Sequence, residues 1–477
     1  MKRFLFLPRR FAFLLLGFCA GVSLSFGQTS FQRTYGGSYN DEGRSVQQTS
    51  DGGYIIAGSF GAGLTDVYLV KTNSFGDTLW TRRYGSANYD EGYSVQQTSD
   101  GGYVIAGYTG PSDTSSSDVY LVKTDSSGNT LWTRTYGGTH TDWGSSVQQT
   151  YDGGYIIIGT TSGANSSDVY LVKTDSLGDT LWTRAYGGTE TDHGNSVEQT
   201  YDGGYIVAGS TTSFGAGMTD VYLVKTNSFG DTLWTRTYGG TENEYGNSVQ
   251  QTSDSGYIIT GESFGGLYLL KTNSSGDTLW TRTYSGSGNS VQKTSDGGYI
   301  IAGYIYRFGA TWSDVYLVKT NSSGDTLWTR TYGGPSIDDA NSVQQTSDGG
   351  YVITGLTNYD PIGNTPGDVY LIKTRVDGLV PVRNEHNVTP IGFALLQNYP
   401  NPFNPTTTIS FNLPSKSFVS LRVFDALGRE VSTLRATELT AGTYSQEWNA
   451  AGLASGVYFY RLQAGTFVET RKLLLLR

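Results

Sequence analysis

The chain is poor in the residues from which most enzyme and metal centres are built. Its 477 residues include one cysteine, three histidines and two methionines, and only 16% are charged. With a single cysteine, Cys19, no disulfide can form within the chain, and no His/Cys spacing suggests zinc. No cysteine nucleophile is available either, and His140 and His193 stand at unmatched places in neighbouring loops. Beyond residue 27 no apolar run is long enough to cross a bilayer as a helix, and helical periodicity is nearly absent. Residues 1–27 read as a secretory signal: Lys2, Arg3, Arg9 and Arg10, then FAFLLLGF, then small residues ending in SFG. Phe18 before Cys19 disfavours lipid attachment there. Removing the signal takes four positive charges with it, and the formal charge falls from −10 to −14. An acidic surface repels phosphate backbones and argues against a nucleic-acid partner.

Glycine (65) and tyrosine (35) are abundant instead, a composition of short strands and tight turns. The phrase DGGY begins at Asp51, Asp100, Asp152, Asp202, Asp254 (as DSGY), Asp296 and Asp348, about every 50 residues, a period of solenoids and propellers. Each copy continues into DVYLVKT (GLYLLKT at 266–272). Six copies then reach a segment like LWTRTYGG, built on Trp80, Trp132, Trp182, Trp234, Trp280 and Trp328. The seventh such segment, FQRTYGG at 31–37, precedes the first DGGY, so an N-terminal strand is expected to complete the last unit and close a ring. Within one unit, residues 92–138 read as four strands separated by Asp-Gly and DSSGN-type turns. YIIAG and VYLV are apolar on both alternations, as strands of stacked sheets are. Trp132 and Tyr136 share a side of the fourth strand and are expected to wedge between neighbours. The expected fold is all-β: a seven-bladed β-propeller over 28–378, a linker at 379–395, and a small Ig-like β-sandwich over 396–477.

The segment KTDSSGNTLW at 123–132 resembles the repeat of the quinoprotein (PQQ-like) propellers. In those repeats an Asp, a turn Gly and a Trp four residues on dock adjacent blades. Here the turn is one residue shorter and seven copies replace eight, so the resemblance implies the fold and not the redox chemistry.

Comparing the copies with one another separates two faces. SDGG and NSSGD barely change, while the other two connections vary strongly, and a ligand site is expected among the variable loops. In the fifth unit both variable loops shrink, to ESFGG and SGSG, leaving a notch. One variable loop repeats a carboxylate just before the innermost strand: Asp41, Asp90, Asp142, Asp192, Glu244 and Asp338. A ring of them at the channel mouth would suit Ca²⁺ or a polar ligand, whereas turn carboxylates usually cap backbone N–H groups. No other cofactor is expected. Tyr306, Trp312 and Tyr359 in the long loops are candidates to stack on sugar rings. A secreted polysaccharide-acting enzyme with carboxylates drawn from several blades is the alternative to a glycan- or protein-binding module.

From about 396 the sequence resembles the type A C-terminal sorting domain of type IX secretion cargo. The matching features are Asn398-Tyr399-Pro400-Asn401-Pro402-Phe403-Asn404-Pro405, Val423-Phe424-Asp425 with Leu427-Gly428, and Gly456-Val457-Tyr458 followed by Lys472. The resemblance implies export by the type IX machinery to the surface or medium, with the domain often removed.

Overall fold

The computed structural model describes residues 30–61, 64–111, 116–163, 166–306, 312–360, 365–380, 392–395, 398 and 401–476. The expected signal with Cys19, residues 381–391 of the linker, Tyr399 and Pro400 lie outside them. The chain divides into two compact units, Met1–Pro381 and Val382–Arg477.

The first unit is all-β, built from four-stranded antiparallel sheets. Six sheets take four successive strands each, over 40–84 (sheet I), 89–136 (II), 142–186 (III), 192–238 (IV), 244–284 (V) and 287–332 (VI). Sheet VII takes three, Ile337–Gln345, Tyr351–Tyr359 and Asp368–Thr374, and its fourth is the N-terminal strand Phe31–Tyr35. That strand pairs antiparallel with Asp368–Thr374 over its whole length, from Phe31↔Lys373 to Tyr35↔Val369.

Sequence explains each strand. The second and third strands, such as Tyr54–Gly61 and Asp66–Thr72, are buried on both faces, and the fully apolar YIIA and VYLV runs fill the space between sheets. The fourth, such as Thr78–Tyr84, is mostly solvent-facing, with Trp80 half-buried and Tyr84 buried.

Neighbouring sheets are joined by contacts that recur from copy to copy. Trp182 packs edge-on against Tyr205 of the next DGGY at 5.9 Å, as Trp80 does against Tyr103. Phe31 takes the tryptophan's place against Tyr54 at 6.0 Å. Such pairs contribute about 0.5–1.5 kcal/mol beyond area burial. The tyrosine closing each fourth strand donates to the turn glycine of the next sheet, as Tyr136 does to Gly178 O at 2.7 Å and Tyr35 to Gly76 O at 2.6 Å. Glycine is required at that turn: at Gly178, φ is +80°, and a Cβ would stand 2.7 Å from the Trp132 ring.

DGGY itself anchors a buried lysine. Lys173 Nζ, from DVYLVKT, meets Asp152 Oδ2 at 2.9 Å and Thr174 O at 2.8 Å, and all seven sheets repeat the pair.

The second unit has a three-stranded sheet of Ala394–Leu395, Thr406–Leu413 and Gly442–Asn449. Its four-stranded sheet holds Glu430–Leu439, Ser417–Asp425, Gly456–Ala464 and Phe467–Leu475. Thr406–Leu413 alternates buried and half-buried residues, and its Ile409, Phe411 and Leu413 share one core with Leu421, Tyr460 and Leu473.

Candidate functional site at the innermost strands

Residues Asp41, Asp90, Asp142, Asp192, Glu244 and Asp338 all stand at or near the start of an innermost strand, as their spacing suggested. They do not form an open ring: none is more than 9% exposed. Each accepts the backbone N–H four residues earlier, from Gly37→Asp41 at 2.7 Å to Gly334→Asp338 at 2.6 Å.

Each also meets the aspartate that opens DVYLVKT in the preceding sheet, the two converging over the glycine that follows the fourth strand. A Cβ on Gly36 would lie 2.6 Å from Asp41 Oδ2 and 2.4 Å from Asp368 Oδ1. Burial pushes the Asp41 carboxyl up. The Gly37 N–H opposes this, Asp368 adds to it, and the net value is about 6. Between sheets V and VI both acids are replaced by glycine, Gly266 and Gly286, and the backbone itself fills the gap. A Cβ on Gly266 would lie 2.3 Å from Tyr284 O. Among the described residues no cluster of three or more His, Cys, Asp or Glu is arranged to hold a metal ion.

A bulge three residues beyond each of these acids places one extra residue in the strand. In sheets IV to VII that residue is asparagine, whose Nδ2 donates to a carbonyl of the next sheet: Asn195→Gly246, Asn247→Gly288, Asn289→Ala340 and Asn341→Gly43, at 2.8–3.0 Å. Sheets I, II and III carry Arg44, Tyr93 and Ser145 instead.

Here the repeat gives way to a local cluster. Arg44 pairs with Glu42 at 3.0 Å and Glu91 at 3.5 Å and lies over the Tyr93 ring at 4.5 Å. Tyr93 donates to Glu91 Oε2 at 3.1 Å, and Asn341 reaches Glu42 Oε1 at 2.7 Å. Burial opposes the charge on Arg44, and Glu42, Tyr93 and Glu91 outweigh it. The ring series continues from Tyr93 to Tyr108 at 6.0 Å and on to Trp143 at 6.4 Å, where Trp143 is 45% exposed. Next to the cluster, burial pushes the Asp339 carboxyl up, a hydrogen bond from Ser313 at 2.6 Å pulls it down, and Glu42 and Asp338 push it up again.

Trp312, singled out from sequence, lies half-buried beside sheet VI, and no ring contact joins it to this cluster among the described residues. Tyr306 is 64% exposed. Sequence reasoning missed Arg44 and Tyr93. The signal was present in one column of the repeat, which reads R, Y, S, N, N, N, N.

Three residues further on, the innermost strands line a cavity of about 240 Å³. Gln47, Gln96, Gln148, Gln250, Gln292 and Gln344 border it, and the remaining equivalent position holds Glu198. Each side-chain oxygen accepts the backbone N–H of the next innermost strand. Gln97 N donates to Gln47 Oε1 at 2.5 Å, and the pattern ends with Gln48 N to Gln344 Oε1 at 2.6 Å. Gln251 N donates likewise to Glu198.

In the second unit, Tyr458 is buried against Trp448 at 6.0 Å and donates to Ala454 O at 2.9 Å. Gly456 opens the same strand, and Lys472 stands opposite Phe459 in the next. Asn401 of the NPFNP run ties this edge down, its Oδ1 accepting Leu474 N at 2.9 Å.

The protein is thus a propeller-like repeat of four-stranded sheets joined to a small β-sandwich unit. Residues 397–476 match the family described as the secretion system C-terminal sorting domain. This is the type IX signal whose motifs stand at Asn398–Pro405 and Gly456–Lys472, so the protein is exported by that machinery and is secreted or held at the cell surface. No curated protein matches the chain.

Several solved structures are similar to it. PorZ, described as an essential surface component of the type IX secretion system of Porphyromonas gingivalis, is 12% identical with a TM-score of 0.39. That match covers 90% of this chain and 58% of that one, so this chain spans little more than half of PorZ's length. Sqt1 from Chaetomium thermophilum is 11% identical with a TM-score of 0.43, covering 80% and 97%. A PL25 ulvan lyase bound to its sugar is 11% identical with a TM-score of 0.46, covering 73% and 97%. At these scores the likenesses carry no argument about ligand or activity.

Proposed function

We propose that residues 28–378 form a seven-bladed β-propeller of the quinoprotein-like repeat type, without its redox chemistry, closed by Phe31–Tyr35. In this reading residues 1–27 are removed, 379–395 link the propeller to the sorting domain at 396–477, and the propeller is displayed as a binding module. Its ligand is a glycan or a surface protein, held on the variable loop face.

The observation that supports this is the break in repetition at Arg44, Tyr93 and Trp143. The four asparagine bulges each join their sheet to a carbonyl of the next. The Arg44 cluster instead combines a half-exposed indole with fixed carboxylates and a guanidinium, an apolar platform beside polar groups that suits a sugar ring. The buried acids Asp41, Asp90, Asp142, Asp192, Glu244 and Asp338 shape this face as carboxylate pairs between blades rather than by touching the ligand.

A glycan array probed with the purified chain tests the proposal, followed by a reducing-sugar assay on each hit. Binding without turnover that falls at least tenfold in Trp143→Ala supports it. Turnover would make the protein a polysaccharide-acting enzyme. Binding unchanged in both Trp143→Ala and Arg44→Gln would remove the site from this face.

A further inference from the structure

The cavity between the innermost strands has chemistry of its own, independent of the loop face. In each of its six glutamines the carbonyl oxygen is committed to a backbone N–H of the next strand, which also fixes which end of the amide is which. The amide NH₂ is the group left over. Among the described residues none of these six Nε2 groups has a hydrogen-bond partner, and all six residues border the cavity. Alongside one valine from each innermost strand, the cavity therefore carries an amide donor on six of its seven sides. Its volume, about 240 Å³, is that of roughly eight waters, enough for a tetrahedral anion with part of its hydration.

The seventh side is Glu198. It replaces a glutamine without altering the fold, because its Oε2 accepts Gln251 N as a glutamine oxygen would. As a carboxylate it opposes an anion; as a carboxylic acid it has an O–H to donate, and all seven sides then offer donors. We infer that this cavity is a binding site for a small oxyanion, taken up together with a proton on Glu198.

The surroundings agree. Burial pushes the Glu198 carboxyl up, the Gln251 N–H and Lys293 oppose this, and the net value is about 7. Three other groups face it. From the strand Ser287–Lys293 comes the Lys293 ammonium, held by Gln251 O at 2.8 Å and the Tyr201 hydroxyl at 3.1 Å. From Tyr257–Ser263 comes the Tyr257 phenol, pushed up to about 12 by burial and then by Asp202 and Glu198. The strand Asp142–Gln149 contributes neutral Gln148. Lys293 is itself a departure from glutamine at its position in the repeat, so the ring's one acid and one nearby ammonium are both exceptions.

Sulfate is the probe of choice, because its charge is constant across the range in which Glu198 titrates. Calorimetry on the full chain is expected to show sulfate binding near pH 6 with little proton exchange, and weaker binding near pH 8 with close to one proton taken up from the buffer. Affinity should fall by about tenfold per pH unit above pH ~7. Glu198→Gln, which restores the residue of the other six positions, should bind sulfate equally near pH 6 and pH 8 with no proton uptake. Gln96→Glu, a change the fold already accepts at Glu198, should weaken binding further near pH 8. Absence of sulfate binding in both the native chain and Glu198→Gln would overturn the inference. So would an unchanged pH dependence in Glu198→Gln.

Discussion

The N-terminal strand can be tested by treating Phe31 as a stand-in for a tryptophan. Phe31 is 8% exposed, packs against Tyr54 at 6.0 Å, and lies so close to the next turn that a Cβ on Gly76 would meet its ring at 2.5 Å. Truncating a buried phenylalanine removes its transfer free energy and leaves a cavity, about 3–5 kcal/mol in all. The edge position lets water enter part of that space, so about 3 kcal/mol is expected. A repeat unit of some 350 residues unfolds with an entropy of roughly 0.7 kcal/mol per kelvin at about 2.1 cal/mol/K per residue, so Phe31→Ala should lower Tm by about 4 °C. Trp182→Ala, which empties the equivalent place between sheets III and IV, serves as the yardstick. Differential scanning calorimetry of the signal-free chain reads both. If Trp182→Ala loses several degrees while Phe31→Ala stays within one degree of the parent, Phe31–Tyr35 is an appendage and the closed ring is wrong.

Asp41 should make stability depend on pH. Its folded carboxyl, near 6, holds a proton more tightly than the unfolded value of 3.8. The resulting stabilisation is complete below pH 3.8 and is lost as pH rises through about 6. Asp41→Asn keeps an acceptor for Gly37 N–H and removes the buried charge. It should therefore raise stability by on the order of 1–2 kcal/mol near pH 8 and by nothing near pH 4; an equal difference at both pH values in urea melts would count against the carboxylate pair. Ser255 occupies the turn position that is glycine in the other six copies, with φ of +63°. Ser255→Gly should gain about 1 kcal/mol, read as an upward shift of the urea midpoint without a change in slope.

Much of the fold was written in the repeat. DGGY, DVYLVKT and LWTRTYGG give the strands their order, and the displaced FQRTYGG gives the pairing of Phe31–Tyr35 with Asp368–Thr374. The carboxylates were correctly set at the starts of innermost strands, but their burial was not readable. It depends on Asp368 and its equivalents in the neighbouring sheet, across a junction that no local pattern describes. The Arg44 cluster was hidden for a related reason. A bulge changes which way the strand's residues face, so Arg44, paired with Glu42, meets Glu91 and Tyr93 of the next sheet nearly 50 residues away. Glu198 and Lys293 were visible as single-letter departures in SVQQT, yet the columns gained meaning only once the strands stood around one cavity.

The order of strands in sheet VII has a mechanical consequence. The chain leaves that sheet towards the sorting domain through Asp368–Thr374, which is paired on one side with Tyr351–Tyr359 and on the other with Phe31–Tyr35. A repeat unit held at the cell surface through its sorting domain would carry any pull through this strand. Extracting it means breaking two ladders together, where a strand at the sheet's edge would unzip from one. The N-terminal strand thus works as a clamp on the tether.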